Sequence, residues 1–142
     1  MFTPSVQAPS AVVMVRPHRF HPNPQTAADN AFQASTARHA ADETARRAHA
    51  EVSAAAARLQ EAGVRVHLFE DTGERDTPDA VFPNNWFSTH PGGHVAIYPM
   101  YAENRRRERR SDVIEMLKAE YRVQDVIDYS GLEADGLFLE GT

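Results

Sequence analysis

Cysteine is absent from all 142 residues. That excludes a disulfide scaffold, a zinc–thiolate site and a cysteine nucleophile within these residues. A basic surplus is missing too: 15 Lys and Arg stand against 20 Asp and Glu, a net charge of −5. Such a chain is not a general nucleic-acid binder, and no nucleic-acid partner is expected. No apolar run has the length needed to cross a bilayer, so no membrane association is expected. The opening MFTPSVQAPS lacks the basic and apolar blocks of a secretory signal, which makes a soluble cytoplasmic location the default. There is no Walker sequence, no G-x-G-x-x-G and no G-x-S-x-G. The seven histidines give no metal motif: His39 and His49 lie ten apart in a helical stretch, and His90 and His94 flank a turn. No metal and no cofactor is expected.

What is present suits a folded chain of one domain, or about half of a larger one. Residues 1–10 hold Pro and Ser and read as a disordered N-terminus. Ala11 to Val15 is a compact apolar run closed by Arg16-Pro17, a buried strand. His18 to Thr26 is a long loop of the kind that carries binding residues. Helix formers dominate from Ala27 to Ala62. The spacing predicts a helix over Ala37 to Ala62, capped by Gly63, with a shorter helical segment around Ala27 to Ala34. Val64 to Phe69 is a second strand. Trp86 to Thr89 and His94 to Tyr98 read as a β-hairpin around Pro91-Gly92-Gly93. Glu103 to Tyr121 is an amphipathic helix and Val123 to Tyr129 a strand. After a loop at Gly131 to Gly136, Leu137-Phe138-Leu139 starts a last strand. The order is α/β, with a β-β-α-β unit from Trp86 to Tyr129.

Three segments hold candidate chemistry. In Thr77-Pro78-Asp79-Ala80-Val81-Phe82-Pro83-Asn84-Asn85-Trp86, three polar side chains sit among residues that favour burial. Either Asp79, Asn84 and Asn85 bond their own backbone in a turn, or they pair with a planar, multi-donor ligand such as a guanidinium or ureido group. Glu140 ends an apolar stretch and precedes Gly141. It either faces solvent or points into a site that backbone approaches closely. The run Asn104-Arg105-Arg106-Arg107-Glu108-Arg109-Arg110 is either a solvated helix turn or supplies one Arg that grips a carboxylate in a two-bond fork.

Four stretches together resemble one family: Met14-Val15-Arg16-Pro17 with Asn23-Pro24, Thr26-Ala27, Asp29-Asn30 and Phe32-Gln33; Asp79 through His90; Asn104 through Arg110; and Phe138-Leu139-Glu140-Gly141-Thr142. The chain resembles the citrulline-utilisation hydrolases of the amidinotransferase and arginine deiminase superfamily, from about residue 11 onward. The string Phe-Pro-Asn-Asn-Trp-Phe-Ser-Thr-His is the specific part. The resemblance implies a pentein fold, a propeller of five β-β-α-β blades about a central active site, of which about two are present. It also implies attack by a Cys thiolate on a ureido or guanidino carbon, with a His as general acid and base oriented by a Glu. For citrulline the products are ornithine, ammonia and carbon dioxide.

By the same resemblance, Glu140 is the His-orienting catalytic residue. Asp79 and Phe82 match substrate-pocket positions of the related dimethylarginine hydrolases. Asn84 and Asn85 stand where arginine-processing relatives carry acids. A neutral ureido group needs no anion, and its oxygen wants the donor that Asn has and Asp lacks. Arg105 lines up with an Arg that binds the substrate α-carboxylate, with Arg106 a close rival. The expected partner is a small amino-acid substrate, citrulline or arginine-like, and an oligomer is compatible with the sequence. In the family, the His and Cys lie downstream of the Glu-Gly motif. Residues 11–142 are therefore expected to be the N-terminal part of one pentein domain, truncated and inactive alone. Incomplete blades would favour self-association through open strand edges. The alternatives are a non-catalytic binding or assembly protein of the same fold, or an enzyme of the arginine deiminase or amidinotransferase type.

Overall fold

The β-branched run after Ser10 forms strand β1, Ala11–Pro17. Its neighbour is β2, Arg65–Asp71. The two run parallel, with Ala11 opposite Arg65 and Pro17 opposite Asp71. A parallel pair cannot be closed by a tight turn and needs a crossover. Helix α1, Arg38–Glu61, supplies it. This is a computed structural model, and it describes residues 8–27 and 38–141. Most of the expected disordered N-terminus, most of the short helix after Ala27, and the Asp29-Asn30 and Phe32-Gln33 stretch lie outside the described residues.

Pairing in β1 runs two residues beyond Val15, because a proline at a strand end removes only a donor the ladder no longer needs. The next N–H, of His18, donates to the Asp71 carbonyl at 2.9 Å. Helix α1 stops where the glycine predicts. Gly63 adopts φ +87°, its N–H donates to the Gln60 carbonyl, and the Val64 N–H reaches back to Leu59, both at 2.9 Å. These bonds satisfy carbonyls that the helix end would leave open.

The second half is a β-β-α-β unit. Strands β3, Phe87–His90, and β4, His94–Ile97, form an antiparallel hairpin with His90 opposite His94. Strand β5, Asp125–Asp128, lies parallel to β4, with Val95 opposite Val126. The core sits here: Trp86, Phe87, Val95, Met100, Val113, Ile114 and Leu117 are packed together and buried. No helix among the described residues is long and apolar enough to cross a membrane.

Two expectations fail. The single helix over Glu103 to Tyr121 is broken into α2, Glu103–Arg106, and α3, Ser111–Glu120. The break spans residues 107–110 and ends at Arg110, which is extended at φ −120° and ψ 121°. An extended residue cannot carry the i to i−4 bonding of a continuous helix, and the arginines there tie to β2 and the segment after it: Arg107 donates to the Arg75 carbonyl and Arg110 to that of Glu70, both at 2.7 Å. The stretch Leu137–Leu139 forms no strand. Leu139 donates to the Pro99 carbonyl at 3.0 Å and Gly141 to that of Asn85 at 2.9 Å, two separate rungs rather than a ladder. Leu137 and Leu139 stay more than half exposed.

Trp86 is 1% exposed and Ile127 41% exposed. Trp86→Ala should therefore cost about 3–5 kcal/mol in a urea melt, the range for a large core deletion. Ile127→Ala should cost less than about 1 kcal/mol, as for a surface position. Equal costs would show that the core is not where these packing contacts place it.

Candidate active site

Residues 77–86 wind through consecutive tight turns. Ala80 donates to the Thr77 carbonyl, Phe82 to Asp79, Asn85 to Phe82 and Trp86 to Pro83, at 3.0 to 3.1 Å. Pro83 opens the 3-10 turn Pro83–Asn85, where its fixed φ suits a first helical position. Buried Thr77, Ala80, Pro83 and Trp86 anchor the segment, and its polar side chains point to two different places.

Asp79 points inward. Its carboxylate accepts from Nδ2 of Asn23 at 2.7 Å. Asn23 is wholly buried and exchanges two hydrogen bonds with Asn104, at 2.8 and 3.0 Å. Gln25 closes the set by accepting the Asn104 N–H at 3.0 Å. Buried amides and carboxylates are costly unless paired, and these are paired with one another.

Arg105 lies beside this network and is 6% exposed. Its Nε and one terminal nitrogen fork onto Glu108 at 2.9 and 3.1 Å. The same terminal nitrogen donates to Oδ1 of Asn85 at 2.9 Å. Asp79 and Glu140 stand further off, at 3.8 and 3.6 Å. Its fork is thus closed on Glu108 within the chain. Arg106 is also engaged, donating to the Met100 and Tyr101 carbonyls at 3.0 and 3.2 Å. Arg109 forks onto Glu133. The arginine run therefore works as a set of internal ties.

Three carboxylates share one buried cation. Burial pushes the Glu108 carboxyl up to about 7, its pairing with Arg105 opposing the rise and the charges of Asp79 and Glu140 adding to it.

Glu140 is held by two groups: its carboxylate accepts the Tyr101 N–H at 3.2 Å and faces Arg105. The next residue must be glycine for lack of space. A Cβ at Gly141 would overlap the Asn84 carbonyl oxygen. The backbone there is zipped to residue 85: Gly141 N–H donates to the Asn85 carbonyl at 2.9 Å, and Asn85 Nδ2 donates to the Gly141 carbonyl at 2.6 Å. Both ends of the Asn85 amide are thus used inside the protein.

A cavity of about 860 Å³ opens beside this zipper, and Asn84, Glu140 and Gly141 line it together with Ser88, His90 and Tyr98. Ser88 Oγ joins His90 Nε2 at 2.7 Å and the Tyr98 hydroxyl at 2.5 Å, a polar strip on the wall. Of the six residues singled out from sequence, Asn84 and Glu140 line the cavity. Asp79, Asn85 and Arg105 form the support behind Glu140, and Phe82 is exposed. The sequence reading assigned no role to Asn23, Asn104 or Glu108. The one signal for Glu108 was its i, i+3 spacing from Arg105, which a solvated helix turn also shows.

The class of molecule follows from this arrangement: an α/β protein whose loops gather amides and carboxylates around a guanidinium at the edge of an open cavity. The family model for N,N dimethylarginine dimethylhydrolase, eukaryotic, matches residues 16–142, and the chain belongs to this family. The family is one of hydrolases acting on C–N bonds other than peptide bonds, with a pentein-type α/β fold and small guanidino amino acids as substrates. No curated protein and no solved structure matches the chain.

Two predictions follow from the geometry. Glu108 binds its proton more tightly folded than unfolded, so its contribution to stability is full below its ordinary 4.5 and is lost as pH rises through about 7. Glu108→Gln keeps the protonated shape at every pH. The variant should flatten the fall in melting temperature over that window; an unchanged slope would refute the assignment. Gly141→Ala should drive the zipper apart and lower the melting temperature, with loss of hydrogen-exchange protection at the Gly141 amide.

Proposed function

We propose that the chain supplies a substrate-binding wall and the orienting carboxylate of a hydrolase that cleaves a ureido or guanidino C–N bond of an amino acid. Citrulline is the best-fitting substrate, and one water would convert it to ornithine, ammonia and carbon dioxide. The observation that carries this reading is Glu140 and Asn84 on one cavity wall, with Glu140 backed by Arg105. In this reading Glu140 orients a His that serves as general acid and base, and a Cys thiolate attacks the ureido carbon. These 142 residues hold no Cys, so the nucleophile comes from elsewhere and the chain alone turns nothing over. The same reading takes Trp86 to Tyr129 as one pentein blade and the β1–α1–β2 unit as part of another.

Asn84 supports the neutral substrate. Among the described residues its side chain has no hydrogen-bond partner, and it lines the cavity, so its amide is available to donate to a ureido oxygen. A second reading, N,N-dimethylarginine, is favoured by the family match and by the surplus of carboxylates over cations around Arg105.

Ligand-observed NMR on the full chain separates these readings. Citrulline should bind, and Asn84→Asp should weaken it by roughly tenfold, the loss of about one hydrogen bond, without lowering the melting temperature. Asn85→Asp should lower the melting temperature, because its donor to Gly141 disappears. Binding of N,N-dimethylarginine in preference to citrulline would select the second reading, and binding of neither would refute both.

A further inference from the structure

Three elements of the β1–α1–β2 unit meet at a cluster, His18, His49 and Glu70, none of whose members lines the cavity just described. Arg16 stands opposite Glu70 in the parallel register, and His18 follows directly after the end of β1. Arg16 reaches across to α1, donating to Ser53 Oγ at 3.3 Å. A crossover helix runs back against its strands. Four residues back along α1, a rise of about 6 Å, matches two residues forward along β1, about 7 Å. The rung after Arg16–Ser53 is therefore His18–His49. The two rings meet edge to face with centroids 4.8 Å apart, and His18 Nε2 lies 2.7 Å from a Glu70 carboxylate oxygen.

We infer that His18, His49 and Glu70 form a binding site for a divalent transition-metal ion, with zinc the fitting case. One ligand atom from each lies within 4.8 Å of the others. Two imidazoles and a carboxylate are a zinc-type donor set, and a tetrahedral ion brings its ligand atoms to roughly 3.3 Å apart. The remaining contraction is within reach of side-chain rotation, since the His18 and Glu70 side chains are 42% and 41% exposed. That exposure also leaves a coordination position for water. Arg16 forks onto the same carboxylate. It can hold one oxygen while the other turns to the ion, as hydrogen-bonded carboxylate ligands commonly do. The consequence is mechanical. Helix α1 fully buries only Ala56 among its described side chains, and an ion ligated from the residue just past β1, from α1 and from β2 would fasten it to the sheet.

The test uses the untagged 142-residue chain with zinc chloride alone. Calorimetry should show one equivalent bound, and the melting temperature should rise with zinc concentration. Cobalt(II) in place of zinc should give the visible absorption of a tetrahedral ion. His18→Asn, His49→Gln and Glu70→Gln should each weaken binding by at least ~10-fold, and His94→Asn, at the β4–β5 pair, should not. Failure of zinc to bind or to raise the melting temperature of the unaltered chain would overturn the proposal. So would equal binding by the His18→Asn/His49→Gln double variant, which would place the ion elsewhere.

Discussion

The buried guanidinium of Arg105 is the constraint around which the second half of the chain is arranged. A desolvated cation is tolerated only if its donors are met with good geometry. Here they are met from several places: Glu108 just beyond α2, Asn85 in the 3-10 turn before β3, and, at longer range, Asp79 and Glu140. Arg105 and Glu108 stand at i, i+3, a spacing that lets them pair directly, while the backbone leaves the helix after Arg106 and resumes at Ser111. The inward-facing carboxylates are the result of that requirement. The Asn23–Asn104–Asp79 set extends that requirement to the loop after β1, whose polar atoms would otherwise lack buried partners.

The cavity wall inherits its shape from the same interaction. Arg105 fixes the Asn85 side chain from one side, and Gly141 fixes it from the other. Residues 140 and 141 therefore cannot move far relative to residues 84 and 85, which is what keeps Glu140 and Asn84 on one wall. Glu140 receives a backbone N–H from Tyr101 and faces the guanidinium. A carboxylate held in this way is suited to orienting another group. Glu108 is pushed up to about 7, because its burial outweighs its pairing with Arg105.

Much of this fold was legible in the sequence because its signals are local. Apolar strands, an Ala-rich helix ended by Gly63, and a Pro-Gly-Gly turn between alternating runs all specify backbone within a few residues. The broken helix was not legible. The apolar spacing of Val113, Ile114 and Leu117 continues smoothly from an arginine-rich turn, and nothing local shows which arginine will be buried. Leu137–Leu139 misled for the opposite reason: an apolar run suggests a strand, but pairing requires a neighbour. In the site, the burial of Asp79 was legible because an acid among residues that favour burial demands a partner, but its partner, the Asn23 amide, is neither the turn backbone nor the ligand that the sequence suggests. The burial of Asn23 and Asn104 was not legible, since a loop Asn carries no local sign that it will be buried. The meeting of His18 with His49 arises only from the crossover, which brings together two residues 31 apart in sequence.

Asn85 shows how one residue's chemistry can be accounted for twice. An amide in place of an acid points to a neutral substrate, because Asn donates where Asp cannot. The structure supplies a second need for the same donor, the Gly141 carbonyl at 2.6 Å. An Asp there would set a carboxylate against a carbonyl and lose the zipper, whatever the substrate. The identity of residue 85 is thus explained by the backbone it holds, and the argument from amides to a ureido group passes to Asn84. That residue lines the cavity with its amide uncommitted among the described residues, so substrate preference is better read from its side chain than from its neighbour's.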